Sequence, residues 1–212
     1  MVRTLIDKVK EKKPILVFLA KTKANRSKVK GIQHKLQFMQ GILIPSNGRS
    51  RGIMMIWKQG LDIRFKICSN SHIDVVVHGE FGKPPWRATG FYGQPNTNKR
   101  YVSWKLMKTL NEQCDMSWFV FRDFNKMTHP EEKLGWLDRD TDQMRAFREC
   151  LWQCGLSDLG FVGQRFTWCK ERIGTQRTLL RLQCIMKDGG LCFLRPQCIM
   201  CQPSHRIIVL LP

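Results

Sequence analysis

The stretches WRATGFYGQP at residues 86–95 and WFVFRDFN at residues 118–125 carry the clearest structural pattern in this chain. Residues 86–92 and 118–121 are predicted strands, and polar residues follow each of them. Between the two stretches, Val102, Leu106 and Leu110 recur at the spacing of one helix face. A strand, a helix and a second strand in this order indicate an α/β protein with mixed sheets.

The rest of the chain fits the same class of fold. Apolar spacing predicts an amphipathic helix over residues 3–11 and another over 144–152. In residues 61–68 the alternation places Ile63, Phe65 and Ile67 on one face of a strand. Residues 189–202 match no element. Further strands are predicted at 15–19, 42–44, 53–57, 73–77, 166–169, 178–185 and 207–211.

Length and composition predict one globular domain that spans residues 1–212. The chain is 42% hydrophobic and 25% charged, as is ordinary for a folded protein. Its 36 Lys and Arg against 17 Asp and Glu give a net charge of +19. Such an excess favours a polyanionic partner, DNA or RNA, bound through a basic surface.

The basic residues are concentrated near the start of the chain. Residues 1–51 hold 13 Lys and Arg but only 2 acids. A basic arm of this kind is expected to contact phosphates. The predicted nucleic-acid-binding residues are Lys21, Lys23, Arg26, Lys28 and Lys30.

Several features predict an intracellular protein, in the nucleus or the cytoplasm. Charged residues at Arg3, Asp7 and Lys8 interrupt any secretory apolar region. No run of eighteen apolar residues predicts a membrane span, and no obligate protein partner is expected. The nine cysteines are an odd number and are interpreted as reduced thiols.

The residues with the clearest chemical potential are Asp123 and Asn125, directly after the strand at 118–121. Strand alternation puts them on the same side of the chain. An acid and an amide at the carboxyl end of a strand can hold a nucleophilic water and a phosphate oxygen. Asp and Asn after a strand are also ordinary turn formers, so the pair alone leaves both interpretations open.

The cysteines offer a different kind of site. Cys198 and Cys201 form a C-x-x-C, and Cys192 and His205 lie nearby, so three thiolates and one imidazole could hold zinc. The spacing matches no familiar zinc finger or knuckle. The i, i+4 pair Cys150 and Cys154 is expected to line a core face. Trp57, Trp118 and Trp168 lie in apolar runs and are expected in the core rather than on a base-stacking surface.

Five short motifs together resemble a known family. They are TGFYGQP at 89–95, WKL at 104–106, RDFN at 122–125, CGLSDLGF at 154–161 and FTW at 166–168. In order and spacing they resemble the endonuclease domain of plant LINE (non-LTR) retrotransposons, a branch of the endonuclease/exonuclease/phosphatase (DNase-I-like) superfamily. The resemblance is clear over residues 4–168 and loose over 169–212.

The resemblance implies a four-layer sandwich of two mixed β-sheets flanked by helices. It also implies hydrolysis of DNA phosphodiesters with a divalent cation, usually Mg²⁺. By the same resemblance, Asp123 and Asn125 would orient the water and the phosphate, and Tyr92 would donate to the phosphate. His205 would bond a phosphate oxygen or relay a proton. Without the resemblance, Tyr92 is as well explained as a buried strand aromatic, and His205 as a surface residue.

The chain departs from the family at most of the acids that hold the metal. The family's first strand, with its active-site Asn, would precede Thr4, which implies a fold truncated at its N-terminus. Lys21 stands where the family has the Glu of its "ETK" motif, and Arg122 where it has the Gly of "GDFN". Gln183 replaces the acid of "RLD" and no Asp separates Ser204 from His205. Since Mg²⁺ needs oxygen ligands, its binding is expected to be weak or absent, and no metal ligand is assigned.

These observations favour a degenerate, catalytically impaired copy of a metal-dependent endonuclease domain. Two alternatives remain at this point. One is a non-catalytic remnant that binds nucleic acid through the basic arm. The other is a translated pseudogene fragment with no selected role.

Overall fold

A computed structural model describes most of the chain at the level of helices and strands. The described residues are 2–22, 26–46, 52–78, 84–94, 96–113, 115–123, 133–134, 141–158, 168–171, 177–180, 183–187, 197–201 and 206–211. The helices are α1 (Val2–Lys12), α2 (Arg26–Leu36), α3 (Arg100–Glu112, after a 3-10 turn at Thr97–Lys99) and α4 (Thr141–Gln153). The strands are β1 (Leu16–Ala20), β2 (Gln40–Ile44), β3 (Ile53–Trp57), β4 (Ile63–Ser69), β5 (His72–Val77), β6 (Trp86–Tyr92), β7 (Trp118–Asp123), β8 (Lys133–Leu134), β9 (Leu156–Asp158), β10 (Trp168–Glu171), β11 (Arg177–Leu180), β12 (Gln183–Lys187), β13 (Gln197–Cys201) and β14 (Arg206–Leu211).

The first large sheet has five strands in the order β13-β14-β1-β3-β2. All of its described pairs are antiparallel. Its centre is β1, where Leu16 lies opposite Leu211 on one side and opposite Trp57 on the other. Every residue of β1 and β3 is buried, which is why both read as unbroken apolar runs and not as alternating ones.

The second large sheet has six strands in the order β4-β5-β6-β7-β12-β9. It is mixed, because β6 and β7 run parallel while the other described pairs are antiparallel. A parallel pair needs a crossover, and α3 provides it between the two strands. A smaller sheet has the order β10-β11-β8.

The two large sheets pack face to face, with helices on both outer faces. The inner core combines side chains of β1 and β3 with those of β5, β6 and β7. A second cluster buries α1 and α2 against the outer face of the five-stranded sheet, and a third buries α3 and α4 against the six-stranded sheet. The predicted four-layer α/β sandwich is therefore confirmed.

Gly90 of β6 shows how closely the two sheets approach each other. A Cβ atom at this position would overlap the ring of Phe18 in β1. That ring also stacks on Phe121 of β7, with 6.0 Å between centroids. The absence of a side chain at Gly90 thus lets an aromatic of one sheet reach the strands of the other.

A buried ion pair joins three strands to a helix. Arg87 in β6 donates from Nε and Nη2 to the carboxylate of Asp74 in β5, at 2.9–3.1 Å, and both side chains are 1% exposed. Arg87 also donates to the carbonyl of Leu110 in α3. Thr89 donates to Asp74 at 2.5 Å and accepts from the indole of Trp118 at 2.7 Å. These bonds satisfy the buried charges, as low-dielectric surroundings require.

Three local expectations need correction. A bulge between Phe65 and Ile67 of β4 pairs Phe65 with Val75 but Ile67 with Asp74, so the two side chains point to opposite faces. Phe65 and Ile67 are both exposed on this edge strand. The single strand expected at 178–185 is two strands, and residues 197–201, expected to be irregular, form β13. Such features depend on pairing with distant strands and not on local periodicity.

Candidate functional site

The carboxyl ends of the parallel strands β6 and β7 bring two of the predicted site residues together. Tyr92 is the last residue of β6, and its Cα partner in β7 is Asp123. Strand β12 begins at the same edge, because Gln183 is opposite Arg122. The backbone therefore gathers three positions of the family motifs at one end of the six-stranded sheet.

Strand β1 of the opposite sheet ends at the same place. It ends at Ala20, opposite Ile207 near the start of β14. The next residue, Lys21, has its Nζ atom 5.8 Å from the centroid of the Tyr92 ring. We call this end of the sandwich the rim and define it by Lys21, Tyr92, Asp123 and the first residues of β12 and β14.

Lys21 is held in an unusual position. Its side chain is mostly buried, with 8% of the residue exposed, and its backbone has φ of +60°. A left-handed conformation costs a residue with a Cβ roughly 1 kcal/mol. The following residue is tied to β3, because the amide of Thr22 donates to the carbonyl of Gly52 at 3.0 Å. These contacts hold the backbone of Lys21 in its left-handed conformation at the rim.

Tyr92 is equally well fixed. It is 9% exposed and packs in the core between the sheets, and its amide donates to the carbonyl of Ser71 at 2.7 Å. An ammonium near an aromatic ring is attracted by the electron density of its face. The Tyr92 ring therefore lies within cation–π range of the Lys21 ammonium.

Several solved structures have a similar fold, and three of them illustrate the likeness. The endonuclease domain of TRAS1, a telomere-specific non-LTR retrotransposon, has a TM-score of 0.62 at 12% identity, covering 81% of this chain and 80% of that one. An AP endonuclease from Archaeoglobus fulgidus has 0.64 at 15% identity, covering 99% and 93%. TDP2 from D. rerio, complexed with single-strand DNA product, has 0.58 at 9% identity, covering 99% and 90%.

The chain has the DNase-I-like fold. It is the fold of the endonuclease/exonuclease/phosphatase superfamily, which the sequence motifs predicted. No family model and no curated protein matches the chain, so what it shares with these DNase-I-like structures is the architecture.

The two rim side chains that the structure describes, those of Lys21 and Tyr92, offer no carboxylate to a divalent cation. Mg²⁺ takes hard oxygen ligands, mainly carboxylates. Lys21 instead brings an ammonium to the rim, and Gln183 occupies the first position of β12. Within the residues that the structure describes, no group of three or more His, Cys, Asp or Glu is placed to hold a metal.

The remaining predicted site residues are only partly described. Asn125, His205 and Lys23 lie outside the described residues. Asp123 is described as the last residue of β7. The assignment of Asp123, Asn125, Tyr92 and His205 as catalytic stays a prediction.

The basic residues after the rim lie on α2. This helix begins at Arg26, includes Lys28, and has no acid in its first turn. Lys30, His34 and Lys35 are exposed, while Ile32 and Leu36 pack on the sheet. The helix thus turns a basic face outward, and its binding to nucleic acid stays a prediction.

The zinc site suggested by the cysteines stays a prediction. Cys198 and Cys201 lie on β13. Cys192 and His205 lie outside the described residues. Cys150 and Cys154 are buried in the core, as expected.

A histidine beside the rim was not anticipated from the sequence. His72, opposite Phe91, is 3% exposed and shares a hydrogen bond of 2.7 Å between its Nδ1 and Ser69 Oγ. Burial lowers the pKa of His72, nearby Asp74 opposes this and Arg87 reinforces it. The position of His72 beside the rim depends on the pairing of β5 with β6. A single His after a turn does not reveal that pairing in the sequence.

One finding bears on the membrane. Across the described part of the chain, no helix has both the length and the apolar character needed to cross a bilayer.

Proposed function

We propose that this chain is a nuclease-like domain derived from the metal-dependent DNA endonuclease of a LINE retrotransposon, and that its hydrolytic activity is impaired. Its DNase-I-like fold and its similarity to two endonucleases and to a protein solved with a single-strand DNA product support a nuclease ancestry. The retrotransposon branch rests on the motifs at 89–95, 122–125, 154–161 and 166–168. The observation that carries the impairment is the mostly buried Lys21 ammonium beside Tyr92 at the rim.

The physical argument for impairment is electrostatic. A divalent ion roughly 5 Å from an ammonium, at an effective dielectric constant of about 20, is repelled by about 7 kcal/mol. By the family resemblance, the same substitution also removes a carboxylate ligand, and Gln183 removes another. Both changes act against Mg²⁺, so binding of this cofactor is weak or absent.

Plasmid nicking tests the proposal directly. We expect no conversion of supercoiled plasmid to the open form by the wild-type chain with Mg²⁺ or Mn²⁺. Calorimetric titration with Mg²⁺ provides a second measurement, in which Lys21→Glu binds the ion more tightly than wild type because it exchanges repulsion for attraction. Nicking by wild type that disappears in Asp123→Ala contradicts the proposal.

A second candidate is a non-catalytic domain that binds DNA or RNA. The net charge of +19 and the exposed basic face of α2 favour it. It is compatible with the first, because binding through phosphate contacts does not need hydrolysis. The pseudogene alternative makes different predictions, because a fragment with no selected role need neither unfold cooperatively nor bind nucleic acid.

A further inference from the structure

We infer that the outer face of α3 is a docking surface for single-stranded DNA, on which Tyr101 stacks against a base while Lys105 and Lys108 contact phosphates. These three residues define the outer face. The inference rests on the proposed function for the kind of nucleic acid. It goes further, because it assigns the binding to a helix other than α2 and to an unpaired strand.

The first argument is the geometry of this face. Tyr101, Lys105 and Lys108 recur at positions i, i+4 and i+7, so they form one stripe about 10 Å long on the helix surface. All three are exposed. The buried residues of α3 lie on its opposite side and are Ser103, Met107 and Leu110. The stripe is therefore turned away from the sheet.

The second argument is the charge around the stripe. Residues 81–111 hold six Lys and Arg and no Asp or Glu, and Glu112 ends the helix. Lys99, Lys105 and Lys108 are exposed, and none of them forms an ion pair with another described residue. Ammonium groups that have no carboxylate beside them complement a polyanion, because their charge is not already balanced.

The third argument is the aromatic ring at the start of the helix. Tyr101 is 62% exposed, and the adjacent Val102 is 47% exposed. Neighbouring apolar side chains left in water are typical of an interaction surface. An exposed ring can stack on the face of an unpaired base, whereas the bases of a duplex already stack on one another. The ring therefore favours a single strand.

The helix backbone is fixed before any ligand binds. The amide of Gln94, after β6, donates to the hydroxyl of Ser103 at 3.0 Å. On the side of α4, the ring of Trp104 stacks on Phe147 with 6.2 Å between centroids. Because α3 is held to both neighbours, only side chains lose conformational freedom on binding.

The test titrates fluorescein-labelled oligothymidylate with the full chain in EDTA and follows fluorescence anisotropy. Tyr101→Ala should bind at least about fivefold more weakly, as expected for the loss of stacking on one base. Alanine favours a helix, so this variant should fold. Tyr101→Phe keeps the ring and should retain the binding. The double variant Lys105→Gln with Lys108→Gln should lower the slope of log K against log salt by about 1.4.

Two matched controls lie elsewhere on the surface. Trp152→Ala removes an aromatic side chain of α4 that is 80% exposed, and it should leave the affinity unchanged. Lys10→Gln with Lys12→Gln removes two exposed charges from the last turn of α1 and should leave the salt slope nearly unchanged. For a duplex of equal length, Tyr101→Ala should change the affinity much less than for the single strand.

Several results would overturn the inference. Equal affinity of wild type and Tyr101→Ala is one, and an equal loss in Trp152→Ala is another. Tighter binding of poly-glutamate than of oligothymidylate would indicate an acidic protein as the occupant. Binding that is lost in Lys30→Gln of α2 but kept in the α3 variants would overturn the inference and leave the proposed nucleic-acid binding intact.

Discussion

Replacing Arg87 by methionine tests whether the buried ion pair of the six-stranded sheet is held by its charge balance. The substitution keeps an apolar stem in place of the arginine stem but removes the guanidinium. The carboxylate of Asp74, 1% exposed, would keep its hydrogen bond from Thr89 but lose all those from Arg87. The carbonyl of Leu110 would lose its bond from Arg87 and keep the one from the amide of Gln113. Removing one partner of a buried pair costs about 3–5 kcal/mol.

That loss is large against the roughly 5–15 kcal/mol that usually stabilise a domain. For a chain of this length it lowers Tm by about 6–20 °C. Urea unfolding followed by far-ultraviolet circular dichroism measures the change. A matched control is Arg145→Met, which breaks an exposed pair with Asp142 whose side chains are 75% and 78% exposed. It should cost less than about 1 kcal/mol.

The double variant Arg87→Met with Asp74→Leu separates charge imbalance from lost packing. It removes both charges, so we expect it to be more stable than Arg87→Met alone by about 2 kcal/mol or more. A double variant no more stable than the single one would refute the reasoning. A cost below about 1 kcal/mol for Arg87→Met would do the same.

Two further predictions concern the packing between the two sheets and the dependence of stability on pH. Gly90→Ala should destabilise the fold by about 1–3 kcal/mol in urea unfolding, because its methyl group overlaps the Phe18 ring. Gly31→Ala on α2, where nothing lies within 4 Å of the added carbon, should be neutral or stabilising. Because burial lowers the pKa of His72, the unfolded chain binds more protons below the ordinary value of 6.5, and stability should fall as the pH falls through that value. His72→Phe should reduce the dependence of the unfolding free energy on pH. An unchanged dependence in this variant would contradict the assignment of the effect to His72.

Much of the fold was predictable because its central strands are buried on both faces. The bounds predicted for β3, residues 53–57, and for β6, residues 86–92, match the structure, and those for β5 differ by one residue. A continuous apolar segment between turns can be recognised as a buried strand from its own sequence, without knowing which strands lie beside it. The bulge at Phe65 and Ile67 lacked such a signal, because it exists only relative to β5.

The site was less predictable for the same reason. The motifs indicated that Tyr92 and Asp123 matter, but only the parallel register makes them neighbours. The position of Lys21 over Tyr92 depends on two different sheets meeting face to face. The pairing of Arg87 with Asp74 was missed as well, although a charged residue inside each of two buried strands is a signal that a partner is needed.

The pairing of β1 with β14 has a consequence for the order in which the chain is made. Leu16 lies opposite Leu211, so one side of β1 gains its neighbour only when the last described strand has left the ribosome. Until then, five apolar residues present unsatisfied amides and carbonyls along an open border. A chain that ends before Arg206 cannot form β14, so this side of β1 stays unpaired. Another copy of the chain can then pair with it, and we expect prematurely terminated products to aggregate.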